Sequence, residues 1–317
     1  MISCIIPCYG SEGTINQVVS DIIKTFELRG EINYEIILIN DSSPDDVFKQ
    51  IKNICSSYVQ VKAIDLAKNF GQHNAIMAGI NCSNGELLVF LDDDGQTPAS
   101  DIWKLLDALD DDCDVVYAKY EDKKHSFFRN IGSKINNIMA EVLIDKPKSL
   151  SISSYFACKR FVANELKTYI GRYPYLTGLV LRSCNRIKNV IVNHKEREIG
   201  NSGYTIKKLL SLWLNGFTAF SIKPLRMATA IGFFTAMSGF IYGLFIIIRR
   251  FFIYPMASVG WSSTMAVLLF IGGMIMLMLG VIGEYIGRTY ININNAPQYV
   301  IRDTINIKIK GAEDHGR

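Results

Sequence analysis

Three consecutive acidic residues form the part of the sequence best suited to bind a metal ion. Asp92, Asp93 and Asp94 follow an apolar run, and Gln96 lies two positions further on. In an extended chain the side chains of Asp92 and Asp94 point the same way, so their charges repel unless a cation neutralises them. Carboxylate oxygens are preferred ligands of Mg²⁺ and Mn²⁺, which typically also bind substrate phosphates. We therefore expect a divalent-metal site to which Gln96 could add a neutral oxygen, with a solvated acidic turn as the alternative.

A second polar segment, residues 40–46, follows another apolar run. Asp41 is suited to accept hydrogen bonds from a base or a ribose, whereas Asp45 is interpreted as the N-cap of the next helix. The chain contains no GxGxxG motif and no GxxxxGKS or GxxxxGKT motif. Dinucleotide-cofactor and P-loop chemistry therefore have no support.

The elements that must position these side chains alternate between strands and helices. Four short apolar runs predict strands, at residues 2–6, 34–40, 60–65 and 86–91. Three helix-length segments separate them, at residues 14–29, 45–57 and 72–82. Nearly all-apolar strands that alternate with helices predict a parallel sheet covered on both faces. Such sheets bind ligands at the carboxyl ends of their strands, so the loops 7–13, 40–46 and 92–98 are expected to meet at one rim.

Two segments further along the chain have the periodicity of amphipathic helices. Residues 126–143 place their apolar side chains on one face, with Arg129 and Lys134 elsewhere. Residues 205–220 show the same pattern and lead into Pro224 and a long apolar block. Either segment could be a helix that faces a protein core. The neighbouring apolar block favours a position in the lipid headgroup region for residues 205–220.

The apolar excess of the chain is concentrated in its last third. From residue 228 to residue 283 the only charged side chains are two adjacent arginines. A bilayer core requires about 20 apolar residues in a helix, so this stretch predicts two spans, at about 228–248 and 264–285. Two buried helices of a soluble domain are the alternative.

Two spans would return the chain to the side of the membrane on which it started. Lys223, Arg226 and Arg288 flank the side that holds both termini, as expected for the cytoplasmic side. Arg249 and Arg250 lie on the opposite side and weaken this charge asymmetry. The N-terminus has no basic region and too short an apolar run for a signal peptide, so we expect the N-terminal domain to be cytosolic.

Composition excludes several other classes of protein. The chain has 317 residues, 49% of them hydrophobic and 20% charged, which excludes a disordered or collagen-like chain. The net charge of +4 is too small to indicate nucleic-acid binding. The 7 cysteines are scattered, odd in number and without a CxxC pair, which is typical of core residues in a reducing compartment.

Four motifs together carry a resemblance to a known family: Pro7–Tyr9, Asn40–Asp45, Lys68–His73 and Asp92–Pro98. The set resembles the family-2 glycosyltransferases, and within them the polyprenyl-phosphate glycosyltransferases, such as the bactoprenol glucosyltransferases and dolichyl-phosphate mannose synthase. Residues 69–79 and 283–288 are most similar to the bacterial enzymes that transfer formamido-arabinose to undecaprenyl phosphate. The resemblance implies an α/β fold, with a GT-A-type nucleotide-sugar-binding domain built on a mainly parallel sheet. Amphipathic juxtamembrane helices and two transmembrane helices would follow it.

The resemblance also implies a role for individual residues. The nucleotide-sugar contacts would be Pro7, Tyr9, Glu12, Asp41, Lys68, Asp92 and Asp93. Asp94 and Gln96 would hold Mg²⁺ or Mn²⁺ on the diphosphate. The acceptor-phosphate contacts would be Arg129, Arg197 and Ser202, and the catalytic residues would be Asp94, Arg129 and Arg197. Arg197 lies in a run of charged residues, so a solvated surface is the alternative for it.

Several positions depart from the pattern of this family. Gly10 and Ser11 stand where the family has asparagine and glutamate, with Glu12 one place later, and Gly203 stands where it has lysine. Ser154 replaces the candidate base, an aspartate, of the bactoprenol glucosyltransferases. A sugar hydroxyl acceptor needs a general base, but a phosphate monoester has its second pKa near 6 and is already an anion at neutral pH. The serine therefore favours a lipid phosphate as the acceptor.

These observations predict a membrane enzyme. It would transfer one sugar, with inversion, from a UDP-sugar to polyprenyl (undecaprenyl) phosphate for cell-envelope glycans, on the cytoplasmic side of the bacterial inner membrane. The predicted parts are a catalytic domain (1–204), an amphipathic segment (205–226), two transmembrane helices (227–288) and a cytosolic tail (289–317). The resemblance implies a homo-oligomer, a tetramer.

Three alternatives remain open at this point. A processive polysaccharide synthase would carry a QxxRW motif, which none of the 3 tryptophans completes. A membrane-anchored nucleotide-sugar-binding or scaffold protein would have a degenerate site, as the departures at Gly10, Ser154 and Gly203 would allow. A glycosyltransferase with a different lipid-linked acceptor is the third.

Overall fold

A computed structural model describes residues 1–120, 141, 146–193, 223–252, 261–293 and 297–307. The described residues form two compact units. The first unit combines the N-terminal part of the chain with residues 297–307, and the second contains two long helices. The predicted amphipathic helix at 205–220 lies outside the described residues, and so does all of the one at 126–143 except Glu141.

The first unit alternates strands and helices, as the sequence predicts. Its strands are β1 (Ile2–Cys8), β2 (Tyr34–Asn40), β3 (Val61–Leu66), β4 (Leu87–Phe90), β5 (Val115–Tyr120), β6 (Phe156–Lys159), β7 (Ile187–Val192) and β8 (Ile301–Ile305). Its helices are α1 (Ile15–Leu28), α2 (Val47–Ser57), α3 (Gln72–Cys82), α4 (Ile102–Asp107), α5 (Arg160–Lys167) and α6 (Leu176–Ser183). The four predicted strands and three predicted helices are confirmed, to within a few residues at their ends.

The strands form one sheet in the order β7-β5-β6-β4-β1-β2-β3-β8. Neighbours from β4 to β3 pair in parallel, and so do β5 and β7, whereas β6 and β8 run antiparallel to their partners. Every residue of β1 and of β2 is buried, which requires helices on both faces of the sheet. The predicted α/β fold with a mainly parallel sheet is confirmed.

The register of the central strands aligns the loops that follow them. Cys8, the last residue of β1, lies opposite Asn40, the last residue of β2. On the other side of β1, Ile5 lies opposite Phe90, and the N–H of Leu91 extends this pairing with a bond to the carbonyl of Ile5 at 3.2 Å. The loops after β1, β2 and β4 therefore leave the sheet at one rim.

The strand β8 was not predicted from the sequence, which placed its residues in a C-terminal tail. It pairs antiparallel with β3, with Thr304 opposite Ile64. The side-chain amide of Asn306 donates to the carbonyl of Cys55 at 3.1 Å and to that of Val61 at 2.8 Å. These contacts attach the end of the chain to the edge of the sheet.

The second unit contains α7 (Lys223–Phe252) and α8 (Trp261–Ile293), of 30 and 33 residues. At 1.5 Å per residue these helices are about 45 and 50 Å long. Their most apolar windows, Ala228–Phe245 and Phe270–Gly287, are long and apolar enough to cross a bilayer. Core helices of soluble proteins meet the same criteria, but almost none of either window is buried in the described structure.

Asn306 provides a test of the attachment of β8. Its φ is 59°, in the left-handed region, and its side chain bonds two carbonyls. We expect Asn306→Ala to lower the free energy of unfolding by about 1–3 kcal/mol, because it removes both bonds and strains the backbone. Asn306→Gly removes the bonds but tolerates this φ, so it should lose less. Thermal unfolding of the purified wild type and of the two variants measures these losses. An unchanged melting temperature for Asn306→Ala would contradict the prediction.

Candidate active site

The loop after β1 is joined to the acidic loop after β4 by two hydrogen bonds. The backbone N–H of Tyr9 donates to Oδ2 of Asp93 at 2.8 Å. The hydroxyl of Thr14 donates to the backbone carbonyl of Asp93 at 2.6 Å. Asp93 therefore acts as a connection between the two loops, while the ring of Tyr9 remains 54% exposed at the rim.

Burial raises the pKa of Asp93 to about 6. The charge of Asp92 acts in the same direction, and the N–H of Tyr9 acts against it. The carboxylate is ionised at neutral pH, but at a cost to the folded state. This destabilising charge lies where the loop after β1 meets the loop after β4.

The loop after β1 is also joined to the loop after β2, on its other side. The N–H of Gly10 donates to the hydroxyl of Ser43 at 2.8 Å, and the N–H of Glu12 donates to Oδ2 of Asp45 at 2.9 Å. The carboxylate of Glu12 accepts a longer bond from the N–H of Asp46, at 3.3 Å. Asp46 occupies the N-cap position of α2, so the assignment of this role to Asp45 was wrong. The carboxylate of Asp45 connects the two loops and also accepts the N–H of Val47, the first residue of α2, at 3.4 Å.

Asp41 is buried and faces the loop after β3. Its two oxygens accept the backbone N–H groups of Phe70 at 2.7 Å and Gly71 at 2.8 Å. Burial raises the pKa of Asp41, and the two N–H donors oppose the rise. Gly71 has a φ of 90°, which a residue with a side chain adopts only under strain. Asp41 thereby fixes the segment that carries the exposed side chain of Lys68, whose Nζ lies 5.1 Å from the ring centre of Phe70.

The acidic turn itself has the two carboxylates that the sequence predicts to bind a metal. Asp94 accepts the backbone N–H of Gln96 at 3.0 Å, across Gly95, which has a φ of 75°. Asp92 accepts a bond from Nε2 of Gln72 at 3.0 Å and a second bond from the hydroxyl of Ser154. Among the residues that the structure describes, no group of three or more His, Cys, Asp or Glu side chains forms a metal site. Two carboxylates suit Mg²⁺ or Mn²⁺ only if a substrate phosphate and water supply the other ligands.

The structure brings most of the predicted site residues to one rim: Pro7, Tyr9, Glu12, Asp41, Lys68, Asp92, Asp93, Asp94 and Gln96. Pro7 is buried in β1 opposite Ile39, so it shapes the rim from below. Arg129, Arg197 and Ser202 lie outside the described residues. Their assigned roles remain predictions, as do those of the rim residues.

Sequence reasoning gave no role to Asn40, Ser43 or Gln72. Asn40 is buried, its amide donates to Oδ1 of Asp65 at 2.7 Å, and its side-chain oxygen accepts the N–H of Ser43 at 3.1 Å. A polar residue at the end of an apolar strand was the available signal for Asn40. Gln72 lies in the Lys68–His73 motif that carries the resemblance, but its contact with Asp92, in the loop after another strand, had no local signal.

Two models of known protein families match this chain, one within each of the two units of the fold. The model described as "Glycosyl transferase family 2" matches residues 3–168, which contain the rim loops. A second model, "GtrB C-terminal hairpin", matches residues 223–289, which contain α7 and α8. The chain belongs to glycosyl transferase family 2 and is a glycosyltransferase, as its resemblance to this family predicts.

Individual relatives narrow the comparison. The chain is 32% identical over 315 residues to undecaprenyl-phosphate 4-deoxy-4-formamido-L-arabinose transferase of Proteus mirabilis, covering 97% of this chain and 94% of that protein. It is 30% identical to the uncharacterized glycosyltransferase YkcC of Bacillus subtilis, covering 97% and 95%. Both alignments therefore include the rim and the two long helices.

Solved structures share the fold. Glucosyl-3-phosphoglycerate synthase of M. tuberculosis superposes with a TM-score of 0.50 at 16% identity, over 68% of this chain and 78% of that one. Its complex with Mn²⁺, UDP and phosphoglyceric acid superposes with a TM-score of 0.50 at 17% identity, over 67% and 74%. At such identity the comparison shows a common GT-A-like architecture.

The raised pKa of Asp93 predicts that removing its charge by mutation increases the stability of the fold, and that this increase depends on pH. The folded state holds a proton on Asp93 up to about pH 6, whereas the ordinary value is 3.8. The penalty for charging this residue is thus complete above pH 6 and disappears as the pH falls towards 3.8. Asp93→Asn keeps an oxygen for the N–H of Tyr9, so we expect it to raise the melting temperature at pH 8 and less so at pH 5.

The control for this prediction is Asp112→Asn, which neutralises an exposed carboxylate. It should shift the melting temperature equally little at both pH values. Thermal unfolding of the full-length protein in detergent provides the measurement. A lower melting temperature for Asp93→Asn at pH 8 would show that the ionised side chain stabilises the fold.

Proposed function

We propose that this glycosyltransferase transfers one sugar, with inversion, from a UDP-sugar to polyprenyl phosphate at a bacterial inner membrane. The observation that carries the proposal is the similarity to an undecaprenyl-phosphate transferase along 97% of the chain. That similarity includes both the acidic rim and the two apolar helices. The product would be a polyprenyl-phosphate sugar for cell-envelope glycans.

The nucleotide part of the donor would bind across the three interlocked loops. The exposed ring of Tyr9 offers a surface on which a base can stack. Asp92 offers acceptor oxygens for the nucleotide, and the exposed Lys68 offers a cation for its phosphates. Because each of these side chains belongs to a loop that another loop holds, the site needs little reorganisation on binding.

A divalent cation, Mg²⁺ or Mn²⁺, would be held by Asp94 and Gln96. The donor set fits this cation, because a carboxylate and an amide oxygen are hard ligands. When bound, such a cation neutralises the diphosphate that leaves with the nucleotide. The chain's own residues orient the donor around it.

The acceptor would be a phosphate, because a phosphate acceptor needs no general base to activate it. Ser154 stands at the position of the aspartate in related enzymes, and its hydroxyl donates to Asp92. A serine hydroxyl is a much weaker base than the carboxylate it replaces, so it is unsuited to act as the general base. A phosphate monoester is already an anion at neutral pH. Arg129, Arg197 and Ser202 would bind it.

The helices α7 and α8 would hold the site at the bilayer, where the lipid acceptor lies. Because β8 and β1 belong to one sheet, the segments before and after the two helices would lie on the same side of the membrane. Two crossings meet this condition. We propose that this side is the cytoplasm and that copies of the chain assemble into a homo-oligomer, as the resemblance implies.

Transfer itself tests the proposal. We expect membranes that contain the protein to convert undecaprenyl phosphate and one member of a UDP-sugar panel to a lipid-linked sugar, detected by mass. Asp94→Asn should reduce the rate at least about 100-fold, because it removes a charge that acts on the leaving diphosphate. Asp111→Asn, which neutralises an exposed carboxylate, should leave the rate unchanged. Binding of UDP without transfer to any lipid would instead indicate a binding or scaffold protein.

The pH profile tests the nature of the acceptor. Protonation of the lipid phosphate, with a second pKa near 6, removes the nucleophilic charge at lower pH. Asp93 loses its charge in the same range. We therefore expect the rate to fall below about pH 6 and to stay level from about pH 7 to 9. A rate that continued to rise through that upper range would indicate a neutral hydroxyl acceptor.

A further inference from the structure

We propose that Ser154 and Gln72 are positioning residues that fix the carboxylate of Asp92 for the nucleotide. The three side chains, called here the Asp92 clamp, consist of one acceptor and two neutral donors. Each oxygen of Asp92 accepts one of them: Oδ1 from Nε2 of Gln72 at 3.0 Å, and Oδ2 from the hydroxyl of Ser154. This inference rests on the proposed use of a UDP-sugar.

The sheet itself places Ser154 opposite Asp92. The strands β4 and β6 are antiparallel, and Phe90 pairs with Phe156 at the end of their ladder. Asp92 lies two residues after Phe90, and Ser154 lies two residues before Phe156. In antiparallel register these two positions face each other. The contact therefore follows from strand pairing rather than from a chance approach of two loops.

The loop around Ser154 is held on both sides of this residue. The hydroxyl of Ser153 donates to the carbonyl of Ala118 at 2.9 Å, on β5. The buried hydroxyl of Tyr155 donates to the carbonyl of Pro98 at 3.1 Å, at the end of the acidic loop. The side chain between these two anchors can thus hold a fixed direction although it is exposed.

Gln72 is held through the buried carboxylate of Asp41. The N–H groups of Phe70 and Gly71 both donate to Asp41, and Gln72 is the next residue, the first of α3. Its amide then donates to Oδ1 of Asp92, the oxygen other than the one that Ser154 contacts. Asp41 thereby influences the acidic turn through Gln72, which explains a buried aspartate at a rim that binds ligands.

Neutral donors suit this position for an electrostatic reason. Asp92 lies beside Asp93 and close to Asp94, so a further anion would add repulsion and a cation would compete with the metal. A hydroxyl and an amide orient the carboxylate without changing the charge of the rim. An acceptor that is oriented before binding loses less conformational freedom when the nucleotide arrives.

The experiment measures UDP binding in the presence of Mn²⁺ by calorimetry, on the full-length protein in detergent. Ser154→Ala and Gln72→Ala should each weaken binding about tenfold, because each removes a hydrogen bond to a charged group. Ser154→Thr keeps the hydroxyl and should bind within about twofold of the wild type. Ser154→Asp should bind more weakly than Ser154→Ala, because it places a second carboxylate opposite Asp92.

Two control variants make the result specific to the clamp. Gln17→Ala removes a similar glutamine-to-carboxylate bond, to Asp21 at 2.7 Å, on the exposed face of α1. Ser57→Ala removes an exposed hydroxyl at the end of α2. Neither should change UDP binding. Melting temperatures of the Ser154 and Gln72 variants should match those of the controls, since both side chains are exposed.

The outcomes separate the clamp from the proposed function. Equal UDP affinity of the wild type and Ser154→Ala would overturn the clamp, and so would equal affinity of Ser154→Ala and Ser154→Thr. A wild type that binds UDP but transfers no sugar to undecaprenyl phosphate would overturn the proposed function. The UDP affinities of the Ser154 and Gln72 variants would then still test the clamp. A wild type that does not bind UDP would overturn both.

Discussion

Several carboxylates share one rim of the sheet, and their negative charges repel one another. This electrostatic repulsion is the constraint on which the rest of the site depends. All of them, Asp41, Asp45, Asp92, Asp93 and Asp94, follow the carboxyl ends of β2 and β4, the two parallel strands that flank β1. Each accepts at least one hydrogen bond from the protein, mostly from backbone N–H groups of an adjacent loop. The bonds that keep these charges together also join the loops, so the electrostatics and the shape of the site have one origin.

The sequence predicted the central part of the fold because the signals there are local. The apolar runs at β1 to β4, and the loops that follow them, specify a parallel sheet with a polar rim. The strand β8 had no comparable signal, since its partner β3 is more than two hundred residues away in the chain. In the site, residue types identified Asp92 and Asp94, but the contact of Asp92 with Ser154 depends on the register of β4 and β6.

The cost of charging Asp93 and the exposure of Tyr9 agree with the proposed role of the rim in ligand binding. The half-buried carboxylate of Asp93, with its raised pKa, weakens the fold at neutral pH, yet it fixes the direction of the loop that carries Tyr9. A nucleotide and a cation would compensate for the remaining charge. Donor binding should therefore stabilise the first unit, as any ligand selective for the folded state does.

The position of β8 has a consequence for the order in which the protein is made. The ribosome completes β3 early, but the strand that covers its edge follows both apolar helices. Until β8 emerges from the ribosome, β3 has an open edge, which is a site for wrong strand pairing. The sheet is therefore completed only after the two helices have been synthesised. Closure of the sheet thus marks a chain in which both α7 and α8 have already been synthesised.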